Sequence, residues 1–388
     1  MSFDLAAALA RKKADGLYRQ RRTLLSGQGA RVQVGGRTLL NFCGNDYLGL
    51  AADPALAEAM TAAVARYGAG SGASHLVCGH GAAHEALEQE LAAFTGRERA
   101  LLFSTGWMAN TAVIQALVGK GDAVFQDRLN HASLIDGALA SGARCQRYRH
   151  TDVAHLAQLL AASAADKKLV VTDGVFSMDG DIAPLPELAA LAARHEAWLM
   201  VDDAHGIGVL GATGGGVAEQ FAQDSATLPV LVGTLGKAFG SFGAFVAGDA
   251  LLIDYLINTA RPYIYTTALP PAVAAASRAA LARIRAGADL RARLAANIAQ
   301  FRAGAEALGL ELLPSHTPIQ PLLLGSNERA LRWSVQLEQQ GVLVGAIRPP
   351  TVPAGSARLR ITLTAAHRAG DIDRLLAALA ACREAEDA

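Results

Sequence analysis

The segment "VGTLGKAFGSFG", residues 232–243, places one lysine among glycines, small polar residues and apolar residues. Of the 35 basic residues, six are lysine: Lys12, Lys13, Lys120, Lys167, Lys168 and Lys237. Beyond Lys168, every basic residue except Lys237 is arginine. A solvated surface charge can be of either type. A Schiff-base amine cannot be an arginine, because guanidinium stays protonated, whereas an amine in a partly apolar site can lose its proton near neutral pH. The plainer use of such a lysine is to snorkel from a glycine-rich turn.

Three features precede it. In "FSTGWMAN", residues 103–110, an apolar run ends in Ser-Thr-Gly and a helical pattern begins. The first N–H groups of a helix are unpaired and its dipole is positive there, so the turn can hold a phosphate, or it can be an ordinary capped start. In "VDDAHGIG", residues 201–208, a strand delivers Asp202 at its end and His205 follows three residues later. That carboxylate can hold a proton on a ring nitrogen, although an Asp pair also simply makes turns. His131, in "LNHASLIDG", lies between a strand and a helix, where an aromatic cofactor platform would sit. Taken with Lys237, the set matches what pyridoxal 5'-phosphate requires: a lysine Schiff base, an acidic partner for the pyridinium nitrogen and a phosphate-holding turn.

The elements that must position these residues alternate from about residue 84. Helical spacing in "HEALEQELAAF", "WMANTAVIQALV" and "PELAALAARHE" is interleaved with short apolar runs. Those runs are "ALLFS", "DAVFQD", "LVVTDGVFS", "WLMVDDAHG", "VLVGTLGK" and "GAFVAG". Such alternation predicts βαβ units and a mostly parallel sheet, with polar residues gathered past the strands' C-terminal ends. After about residue 262, two Ala/Arg-rich helices are expected, then strands at "IQPLLLG", "VLVGAIRPP" and "ARLRITLT", and a closing helix. The division expected is an N-terminal helical arm (1–43), a large α/β domain (44–262) and a smaller α+β C-terminal domain (263–388).

The chain resembles the α-oxoamine synthases, a group of pyridoxal-phosphate enzymes with the aminotransferase-like fold (fold type I). The likeness runs from "NFCGNDYLGL" through "GSGASHLVCGH", "DGVFSMDGDIAPL", "VDDAHGIGVLG" and "TLGKAFG" to "RLRITLTAAH". The segment "IRPPTVPAGSARLRITLTAAH" most resembles the group's biotin-pathway members, which implies condensation of L-alanine with a pimeloyl thioester of coenzyme A or acyl carrier protein. Glycine-using members of the group are the alternative.

The resemblance implies roles for individual residues. Lys237 would carry the cofactor, Asp202 would pair with its ring nitrogen and His131 would stack on its ring. Ser177 and His205 would bond the phenolic oxygen region. Gly106, Trp107 and Thr234 would meet the phosphate, although many relatives have a smaller aromatic at the position of Trp107. Arg360 would clamp the amino-acid carboxylate, and Thr351 with Arg19 would meet the acyl thioester, with Arg21 and Arg22 as alternatives to Arg19. The resemblance also implies a homodimer in which Thr266 and Thr267 reach the neighbour's phosphate.

Composition narrows the field further. Thirty-five acids balance 35 bases, which leaves no electrostatic footprint for nucleic acid or an acidic membrane. The four cysteines form no CxxC pair, which fits a reduced, cytoplasmic setting without a metal site. The N-terminal segment is charged throughout and lacks a signal-peptide core, and no run of 18 apolar residues is present. "GIGVLG", residues 206–211, matches GxGxxG in letters. However, "DDAH" separates it from the strand and "GATGGG" makes a poor helix, so a nicotinamide site is disfavoured.

Overall fold

The protein is described from a computed structural model that covers residues 3–15 and 17–387. Strands β1 (Arg31–Val34) and β2 (Arg37–Asn41) form a hairpin near the N-terminus. The central sheet contains β3 (Arg99–Phe103), β4 (Ala123–Asp127), β5 (Arg144–Tyr148), β6 (Lys168–Asp173), β7 (Trp198–Asp202), β8 (Val230–Thr234) and β9 (Ala244–Gly248). Its order is β3-β9-β8-β7-β6-β4-β5. Strand β9 runs antiparallel to both neighbours and the remaining pairs are parallel.

The apolar runs are continuous because helices cover both faces of the sheet. Every residue of β4 and of β9 is buried. Strand β5, "RCQRY", is the exception: it lies at the sheet edge, mostly outside the core, and its polar sequence did not mark it as a strand.

Strands β10 (Ile319–Gly325), β11 (Val342–Leu343), β12 (Gly345–Ile347) and β13 (Ala357–Thr362) lie in the C-terminal part. The order β10-β13-β12 forms one antiparallel sheet. The segment "VLVGAIRPP", expected as one strand, is divided. Its first half, β11, runs parallel to β2, and its second half, β12, pairs with β13. The Ala/Arg-rich helices span Pro271–Arg285 and Ala288–Ala307, and the first packs on helices Pro54–Tyr67 and Ala82–Thr95. The N-terminal helix, Leu5–Ala14, is capped by Asp4 and buries none of its residues. Among the described residues, no helix is long and apolar enough to cross a membrane.

The "GIGVLG" glycines have a local cause. Asp203 is fully buried and accepts from the Val217 N–H at 2.8 Å. A Cβ at Gly206 would lie 2.1 Å from the Asp203 carboxylate, and one at Gly216 would lie 1.8 Å from it. Gly206 within the segment and Gly216 beyond it therefore close around the internal Asp203 carboxylate, while Gly211 packs against the Glu219 carboxylate.

Candidate active site

The candidate residues converge at the C-terminal ends of the central strands. Asp173 and Asp202 end β6 and β7 and are direct register partners. Lys237 lies in the turn after β8, and His131 caps the helix Ala132–Ala140 that follows β4.

The Lys237 Nζ lies 2.7 Å from His205 Nε2, and His205 Nδ1 lies 2.6 Å from the Tyr47 hydroxyl. The Tyr47 hydroxyl donates to Asn45 Oδ1 at 3.2 Å, and Arg360 Nη1 donates to the same oxygen at 3.2 Å. One set of donors satisfies this chain: the amine donates to Nε2, Nδ1–H donates to Tyr47, and Tyr47 donates to Asn45. It requires a neutral His205. Burial, reinforced by the nearby Lys237 and Arg360 charges, holds the imidazole well below its ordinary pKa. Burial also pushes the Lys237 amine down to about 8, against the pull of the Asp202 and Asp173 carboxylates.

Asp202 is 6% exposed and is fixed from two sides. Asn110 Nδ2 donates to its Oδ2 at 2.6 Å and the Ala204 N–H donates to its Oδ1 at 3.0 Å. Asn110 also donates to Ser133 Oγ at 2.8 Å, and Ser133 Oγ lies 2.7 Å from His131 Nδ1. The His131 N–H donates to Asp173 Oδ2 at 2.6 Å. Asp173 is buried, which raises its carboxyl well above the usual range, with Asp202 adding to the effect.

The helix Gly106–Leu117 begins beside this cluster. Thr105 caps it by accepting from the Met108 N–H at 3.2 Å, and a Cβ at Gly106 would meet nothing within 4 Å. Trp107 is 45% exposed and lies edge-on to His131, ring centroids 6.1 Å apart. Thr234 Oγ1 accepts from the Gly236 N–H and donates to the Gly243 carbonyl. Gly240, at φ +63°, closes the lysine turn: its N–H donates to the Lys237 carbonyl at 2.8 Å, and a Cβ there would lie 2.3 Å from the Ala51 nitrogen.

Arg360 is buried and donates through Nε to the Ser177 carbonyl at 2.6 Å. Ser177, His131 and Thr351 line a cavity of ≈ 940 Å³. A second cavity, of ≈ 700 Å³, shares Thr351 and is lined by Arg19. Arg22 instead pairs with Glu338 at 2.6 Å. Thr266 and Thr267 line neither of these two cavities; Thr267 is exposed and forms a bridge with Ser74.

The sequence reading missed Asn110, Ser133, Asp173, Tyr47 and Asn45. Only their position offered a signal, since each lies within a few residues of a strand end, a helix start or a quoted segment. The donor set fits pyridoxal 5'-phosphate: a half-buried amine, a carboxylate fixed by neutral donors, an imidazole platform and a helix start with open space before it.

The profile of the aminotransferase class I and II family matches residues 37–379. The chain belongs to that family, in the fold type I class of pyridoxal-phosphate enzymes. More narrowly, it is 62% identical over 380 residues to a Methylococcus capsulatus protein named 8-amino-7-oxononanoate synthase, covering 98% of each chain. A Cellvibrio japonicus protein of the same name is 60% identical, covering 96% of this chain and 94% of that one. Among solved structures, a Sphingomonas wittichii serine palmitoyltransferase superposes with TM-score 0.94 at 32% identity, covering 99% of this chain and 97% of that one. A Francisella tularensis 8-amino-7-oxononanoate synthase superposes with TM-score 0.79 at 34% identity, covering 90% and 99%.

Proposed function

We propose that the protein condenses L-alanine with a pimeloyl thioester, releasing carbon dioxide and the free thiol to give 8-amino-7-oxononanoate for biotin synthesis. Near-full-length identity to proteins of that name supports the reading. The observation that supports the chemistry is the half-buried Lys237 amine held against a neutral His205 beside a fixed Asp202. Lys237 would carry pyridoxal 5'-phosphate covalently, and Asp202 would face its ring nitrogen. His131 would lie against the ring, and Ser177 and His205 would bond its phenolic oxygen. Gly106, Trp107 and Thr234 would take the phosphate, joined by Thr266 and Thr267 of a second copy in a homodimer. When bound, the cofactor supplies an electron sink for charge developing at the amino acid's Cα.

The chain's own residues then move protons and hold charges. Lys237, with its amine pushed down to about 8, is a base able to take the Cα proton and later return one. The Asp202 carboxylate is held in one orientation because Asn110 and the Ala204 N–H donate to its two oxygens. Arg360 would meet the alanine carboxylate, for which a planar fork suits. Arg19 and Thr351 would meet the acyl chain. The setting is cytoplasmic.

The test is product analysis with purified enzyme. Alanine plus pimeloyl thioester is expected to give a product containing both carbon skeletons less one carbon dioxide. One methyl is discriminated by only about 1–3 kcal/mol, so some glycine turnover is expected as well. A kcat/KM for glycine with acetyl or succinyl thioester at least about tenfold above that for alanine with pimeloyl thioester would overturn the substrate assignment.

A further inference from the structure

Three of the residues lining the larger cavity are arginines that the proposed chemistry does not use. Arg128 follows β4, and Arg147 and Arg149 flank the end of the adjacent parallel strand β5. All three are exposed and line the same cavity as His131, Ser177 and Thr351. The backbone fixes their spacing: the Arg128 N–H donates to the Tyr148 carbonyl at 3.1 Å, and the Arg147 guanidinium donates to the Arg128 carbonyl. Among the described residues, neither Arg128 nor Arg147 has a carboxylate partner. Arg149 pairs with Asp152, whose other oxygen caps the next helix through the His155 N–H. The one acid lining the cavity, Asp179, is paired with Arg358.

A chain with no net charge thus places two guanidinium groups without a carboxylate partner, Arg128 and Arg147, and a third paired with Asp152, in the lining of a cavity that also holds His131 and Ser177. A single carboxylate on an exposed arginine gains little, so the acyl chain's terminal acid gives no reason for three. A phosphate offers several acceptor oxygens in a geometry that guanidinium forks match, and ligands bind past the C-terminal ends of such strands.

We propose that Arg128, Arg147 and Arg149 form the anchoring site for the phosphate end of the thiol carrier, holding the pantetheine arm along the cavity. This rests on the thioester reading above. Two carriers present that chemistry: coenzyme A, with three phosphates, and acyl carrier protein, with one at the base of its arm.

The test compares pimeloyl-coenzyme A with pimeloyl-pantetheine, which has the same arm and no phosphate, using holoenzyme and alanine. Wild type is expected to favour the phosphorylated thioester in kcat/KM by about tenfold or more, with the preference falling as salt rises. In the triple variant Arg128→Gln, Arg147→Gln, Arg149→Gln the preference is expected to collapse toward one. A wild-type ratio near one, or a ratio the variant leaves unchanged, would overturn the site. A parallel series with pimeloyl-acyl carrier protein separates the two sources: the carrier whose kcat/KM falls more in the variant is the one the arginines serve. Calorimetric binding of coenzyme A alone separates this claim from the acyl assignment. Weaker binding in the variant upholds the anchor even if no pimeloyl thioester is turned over, and equal binding together with an unchanged acyl carrier protein series rejects it.

Discussion

His205 and His150 follow strands of the same sheet and meet opposite environments. His205 is buried, with an amine against one nitrogen and a phenol against the other. Burial and neighbouring cations keep it neutral. His150 lies with Nδ1 3.0 Å from Asp127 and Nε2 2.8 Å from Asp181, its ring edge-on to Phe176 at 4.4 Å. Burial disfavours its cation as well, but the two carboxylates outweigh that and raise its pKa to about 10. The same side chain is therefore a neutral acceptor beside the Lys237 amine in one place. In the other it is a fixed cation tying the loop that carries Ser177 to the end of β4. What decides is whether the partners bring negative charge.

The largest effect is expected from removing the amine that His205 faces. Lys237→Ala should abolish turnover, and borohydride reduction of the wild type should attach the cofactor to the peptide containing residue 237. Labelling of any other lysine would contradict the assignment. Next comes Asp202→Asn, which keeps the shape and removes the charge. Turnover should fall by about two to three orders of magnitude while the cofactor still co-purifies, read by steady-state rates and absorbance. The same change should lower the Lys237 amine further below about 8 in cofactor-free enzyme, because a carboxylate that raised it is gone. The pH dependence of amine labelling would show this.

Smaller effects test the other histidine. His150→Gln leaves two carboxylates without their cation and should cost about 1–3 kcal/mol at neutral pH and below. The folded pKa of about 10 lies above the ordinary 6.5. The wild-type advantage is thus full below 6.5 and is lost as pH rises through about 10. Thermal melts of the two proteins should therefore converge in alkaline buffer, and a constant gap would refute the ion-pair account. Asp181→Asn removes one of the two carboxylates and should lower the His150 pKa from about 10, with a smaller loss of stability. Imidazole resonances followed by titration would measure the shift.

Lys237, Asp202 and His205 were legible in the sequence because each sits where an apolar run stops, and such boundaries are local. Asn110 was not legible: its contact with Asp202 spans 92 residues, and a neutral amide inside a helical pattern carries no signal. Tyr47 reaches His205 across 158 residues for the same reason. Buried parallel strands were visible as apolar runs, whereas β5 was hidden by its position at the edge. The split of "VLVGAIRPP" between β11 and β12 was hidden because the choice of sheet is made by distant partners, β2 and β13.

Gly240 constrains how this lineage can change. The lysine turn crosses the Leu50–Ala51 backbone with no room for a methyl group, since a Cβ at Gly240 would also come within 2.5 Å of the Leu50 carbonyl carbon. At Gly236, one residue before the lysine, a Cβ would meet its nearest atoms at 3.7 and 3.8 Å, so a side chain can be added there with the turn left where it is. Position 240 offers no such gradual route. Any replacement there must displace one of two backbones, and one of them ends in the amine. Random mutagenesis screened for activity should therefore return residue 240 as glycine, except in clones that also alter residues 50–51.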